Sequence, residues 1–85
     1  MKVFETALER FGLPEDALSG SRVIISGDKH LSIENHRGLL EYSDEMILVS
    51  LFKGRLCIRG RGLTIAAMER KSIVIKGKIY GIDLE

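Results

Sequence analysis

Asn35-His36-Arg37-Gly38 is the one place in this 85-residue chain where polar groups of mixed chemistry sit side by side. An imidazole between an amide and a guanidinium has the groups to move a proton or hold an anion. The same four residues also suit a corner between two strands, because asparagine tolerates left-handed backbone and glycine tolerates more. No second histidine or carboxylate stands in a motif-like relation to His36, so the corner is the reading the residues favour.

The other candidates for chemistry are thinner. His30, His36 and Cys57 are possible metal ligands, but zinc sites use paired close spacings and the chain has no CxxC or HxxxH. No metal and no cofactor is expected. Arg59-Gly60-Arg61-Gly62 is too short for a dinucleotide loop and does not open a helix, so a tight or bulged turn with outward arginines is expected. Nothing resembles a serine nucleophile elbow. The residues therefore point away from an enzyme, and catalytic residues are expected to be none.

The basic block is the remaining feature. Residues 53–78 carry eight bases against Glu69 alone, whereas residues 1–45 carry nine acids and five bases. Arg55, Arg59 and Arg61 share parity and would line one face of an unbroken strand. A nucleic-acid surface would interleave such bases with exposed aromatics. Phe52 and Tyr80, the nearby aromatics, both read as core. A solvated charged face is the plainer account, and the charge asymmetry also suits self-association of unlike faces.

These residues need elements to hold them. Phe4, Ala7, Leu8 and Phe11 recur at i, i+3, i+4 and i+7, one face of a short helix that Gly12 ends. Pro14 opens a second short helical stretch to Leu18, giving a helical N-terminal segment over 1–18. A helix this short must dock on its own domain or on a partner. From Arg22 the period becomes two. Short alternating runs separated by Gly27-Asp28, Ser43-Asp44-Glu45, Lys53-Gly54 and Lys76-Gly77 predict about seven antiparallel strands over 22–85. Met46 to Phe52 is apolar on both faces except at Ser50 and should lie centrally. The fold class is all-β: an antiparallel meander forming a small sandwich or open roll, with a short N-terminal α-helix. A β-solenoid is the structural alternative.

Length and composition set the frame. One domain, 1–85, is expected, and a chain this short is marginal unless it associates or packs well. The single cysteine suits a reducing compartment, so a cytoplasmic protein is expected. No apolar run approaches the roughly 18 residues that span a bilayer.

Four phrases, in this order, resemble the YabP/YqfC family of sporulation proteins: Leu13-Pro14-Glu15-Asp16, Ile33-Glu34-Asn35-His36-Arg37-Gly38, Leu56-Cys57-Ile58-Arg59-Gly60-Arg61-Gly62-Leu63, and Ile73 through Gly81. The resemblance covers roughly Leu13 to Leu84. It implies a small noncatalytic protein of the sporulating cell, acting in assembly of the spore envelope, and it transfers no catalytic residue. The candidate contact residues are Phe4, Leu8, Phe11, Asn35, His36, Arg37, Arg55, Arg59 and Arg61. The expected partner is a second copy or another sporulation protein. Nucleic acid at residues 53–78 is the alternative.

Overall fold

A computed structural model describes residues 20–27 and 29–85. The helical segment expected over 1–18, with Phe4, Leu8 and Phe11, lies outside the described residues. All elements described are strands: β1 (Arg22–Ser26), β2 (His30–Glu34), β3 (Gly38–Tyr42), β4 (Met46–Ser50), β5 (Arg55–Met68) and β6 (Ser72–Leu84). They form one open antiparallel sheet in the order β1-β2-β6-β5-β4-β3. Strands β3 to β6 run as a meander, and the β1–β2 hairpin docks on the far flank of β6.

The alternation read in the sequence is the alternation seen in burial. Val23 and Ile25, Leu31 and Ile33, Ile73 and Ile75, Leu56 and Ile58, and Ile47 and Val49 all point inward and are fully buried. They join one core that draws on both ends of the sheet. Each such side chain contributes about 1.5–3 kcal/mol on burial. Strand β4 lies between β3 and β5, and Ile47, Leu48 and Val49 are buried on its two faces, as its continuous apolar run requires.

Six strands are described rather than about seven, because two expected turns are bends within long strands. β5 is 14 residues long. At about 3.3 Å per residue it would reach roughly 46 Å if straight. The molecule measures only 27 × 25 × 22 Å, so β5 and its partner β6 must fold over. They do so where the register shifts, at Arg59/Gly60 and Arg61/Thr64. Gly60 and Gly77 permit the crossing. A Cβ on Gly60 would collide with the Lys78 carbonyl oxygen, and one on Gly77 would sit 2.7 Å from the Gly62 carbonyl oxygen. Arg59-Gly60-Arg61-Gly62 is therefore the crease of a strand, not a turn between strands. Lys76-Gly77 is the matching crease in β6.

The genuine turns use local chemistry. Ser43 Oγ accepts hydrogen bonds from the Glu45 and Met46 backbone N–H groups at 3.3 and 3.0 Å. Gly54, at φ 102°, closes the β4–β5 turn, where Leu51 N–H donates to the Gly54 carbonyl at 2.9 Å. Phe52 and Tyr80 depart from expectation: both are exposed, at 63% and 59%, rather than part of the core. Phe52 sits in that turn, and Tyr80 sits where the crease disturbs alternation.

Candidate functional site

The Asn35–Gly38 phrase is a corner, and it is built as a clasp. Asn35 adopts φ 64°, the left-handed conformation that asparagine tolerates better than other side chains. That geometry aims the Asn35 and His36 N–H groups at one acceptor, the Lys71 carbonyl, at 2.6 and 3.3 Å. Arg37 N–H then donates to the Ser50 carbonyl at 2.7 Å. The Asn35 side-chain amide donates to the Gly20 carbonyl at 3.2 Å, and Ser21 Oγ donates to the Asn35 carbonyl at 2.9 Å. One short segment thus ties the end of β2 to the β5–β6 turn, to the end of β4 and to the residues before β1.

His36 lies inside this clasp, only 4% exposed. Neither ring nitrogen has a hydrogen-bond partner among the described residues. An imidazole that works as a general base needs a partner that fixes its tautomer and aim, and none among the described residues holds this ring. Its neighbour Arg37 points outward, with its guanidinium 5.3 Å from the centroid of the Phe52 ring.

Arg55 and Arg59 share the outer face of β5, two residues either side of Cys57. Arg55 pairs with Glu85 at 3.1 Å, and Arg59 pairs with Asp83. Both pairs are about half exposed, so they are worth little to stability. They do neutralise two of the three arginines expected to serve an anionic partner. Arg61 stands apart, beyond the Gly60 crease and opposite Lys78. Cys57 is buried between Leu48 and Asp83 in the register, and burial pushes its thiol pKa up. No group of three or more His, Cys, Asp or Glu side chains is arranged for a metal ion among the described residues. No helix there is long and apolar enough to cross a membrane.

Two features escaped the sequence reading. The first is a free strand flank. β4 accompanies β5 only through Arg59, and the Glu45 and Asp44 carbonyls then take the Gly60 and Leu63 N–H groups. From Thr64 to Met68, β5 pairs with β6 alone among the described residues. Thr64, Ala66, Ala67 and Met68 are exposed, and the stretch carries no charge. The lack of charge in Leu63-Thr64-Ile65-Ala66-Ala67-Met68 was the available signal. The second is the set of exposed apolar side chains: Leu40, Tyr42, Phe52, Met68 and Tyr80.

The model of the YabP family matches residues 18–85, which takes in the corner, both creases and every described strand. Among curated proteins, the uncharacterized protein YqfC of Bacillus subtilis (strain 168) is 33% identical over 66 residues. That match spans 78% of this chain and 71% of the relative. Phe4, Leu8 and Phe11 fall before the range the family model matches.

Proposed function

The chain belongs to the YabP family, and from that premise we propose that it is a noncatalytic protein of the sporulating cell's cytoplasm. It acts in assembly of the developing spore envelope, through self-association or contact with another sporulation protein. The observation that carries this reading is the free flank of β5. An uncharged, exposed strand with unpaired backbone groups is a template for another strand, and natural sheets usually guard such flanks with charge. Leu63 N–H points to the β4 side of β5, so two residues on the Ile65 backbone points to the same, unpaired side. Phe4, Leu8 and Phe11 are a second proposed contact face, and Asn35 and Arg37, the exposed residues of the clasp, a third.

Size-exclusion chromatography with light scattering, at low and high salt, tests the reading. A concentration-dependent oligomer is expected. Thr64→Lys with Ala66→Lys should convert it to a folded monomer. A strict monomer that also captures no protein from sporulating cells would remove the proposal.

A nucleic-acid role for residues 53–78 gains one observation from the structure: Tyr80 is exposed, and so is Phe52, whose ring Arg37 partly covers. Against it, Arg55 and Arg59 are already engaged by carboxylates. Fluorescence anisotropy with single-stranded RNA and DNA at low salt decides it, since phosphate contacts predict steeply salt-dependent binding.

A further inference from the structure

We propose that the end of the molecule bearing Phe52 is a docking tip for an anionic lipid surface. The backbone bonds of the clasp bring three loops to this one end: the corner at Arg37, the β4–β5 turn at Phe52-Lys53, and the β5–β6 turn at Arg70-Lys71. Phe52 is the most exposed large apolar side chain described, at 63%, while its neighbour Leu51 is buried. Arg37, Lys53, Arg70 and Lys71 are all exposed, and none of the four has an ion pair among the described residues. An aromatic tip set among four exposed cations, with Glu69 the acid in the same β5–β6 turn, matches the layering of an anionic bilayer face. There the ring lies at headgroup depth, and long basic side chains reach the phosphates while their stems lie along apolar surface.

The layout favours lipid over a nucleic-acid strand. Arg37 already covers part of the Phe52 ring. The other exposed aromatics, Tyr42 and Tyr80, lie towards the opposite end, beside the Ser43–Glu45 turn and the Gly60 crease. A strand of bases would need successive stacking platforms, and this end offers one. A bilayer face needs only one apolar anchor with flanking charge.

The chain has no tryptophan, so Phe52→Trp makes a single reporter at the tip. With vesicles containing phosphatidylglycerol at low salt, its emission should shift to the blue, and the protein should sediment with the vesicles. Pure phosphatidylcholine vesicles should give neither effect. Phe52→Ser should weaken sedimentation at least several-fold. Lys53→Glu and Lys71→Glu should each weaken it about five-fold or more, as expected for roughly 1 kcal/mol per basic side chain near the surface. Circular dichroism on each variant separates lost binding from lost folding. An unshifted emission, or sedimentation indifferent to Phe52→Ser, would overturn the proposal. So would single-stranded nucleic acid binding at this tip while vesicles do not. None of these outcomes bears on self-association through β5, which light scattering reads separately.

Discussion

His36 and Cys57 are two buried polar side chains with different consequences. His36 holds two ring nitrogens out of water with no partner among the described residues, which costs about 1–3 kcal/mol relative to a satisfied group. His36→Leu keeps most of the volume and removes the cost. It is expected to raise unfolding free energy by about 1 kcal/mol in urea titrations, and a loss of more than that would mean the ring has a polar partner after all. Cys57 acts through pH. Its folded thiol has a pKa above that of the unfolded chain because burial disfavours the thiolate. A raised folded pKa gives stability that is fully present below the unfolded value and is lost as pH rises through the folded one. The difference in stability between the natural chain and Cys57→Val should therefore be flat up to about pH 8.5 and then move against the natural chain. A flat difference through pH 10 would refute the assignment.

At the scale of elements, the creases in β5 and β6 decide the architecture. Gly60 and Gly77 stand where the backbones of one hairpin cross, and the atom nearest any side chain there is a backbone carbonyl oxygen. Gly60→Ala should cost at least about 3 kcal/mol or prevent folding. Gly62→Ala meets open space but must hold φ 62°, for about 1–2 kcal/mol. Gly81→Ala, with open space and no left-handed φ, should be close to neutral, with thermal melts of all three variants as the measurement. Equal effects at all three positions would contradict the crossing. This contrast also marks where the sequence was legible. The strand around Leu31/Ile33 showed in period-two alternation, the strand around Ile47/Val49 in a run apolar on both faces, and Asn35 announced its own corner. The glycines of the creases could not be told from turn glycines, because what they accommodate is another segment's backbone, distant in sequence. Phe52 and Tyr80 misled for a related reason. Their residue type favours burial, but Phe52 falls in a turn, and the register shift at Arg59/Gly60 takes Tyr80 off the face of Ile82. The free flank of β5 was hidden as well, since it depends on β4 being short.

At the scale of the molecule, a chain of 9.5 kDa has little core to spare, and association adds stability by mass action. If β5 pairs with a second copy, the melting temperature should rise with protein concentration in the natural chain and stay constant in the Thr64→Lys, Ala66→Lys variant. Constancy in both would place the contact elsewhere.

The position of β6 has a further consequence for how the protein is made. It follows the other described strands in sequence, yet it lies inside the sheet, between β2 and β5. Synthesis is vectorial, so the β1–β2 hairpin emerges long before the strand that supports it. A lone two-stranded hairpin is marginal in water. Thirty-seven residues separate Glu34 from Ser72. At about 5–20 residues per second, the ribosome needs roughly 2–7 s to bridge that interval. Through that time Leu31 and Ile33 lack Ile75 and Ile73, the β6 residues they face in the finished sheet. The nascent chain carries exposed β-prone surface throughout, so its hazard lies in the order of assembly rather than in the finished fold.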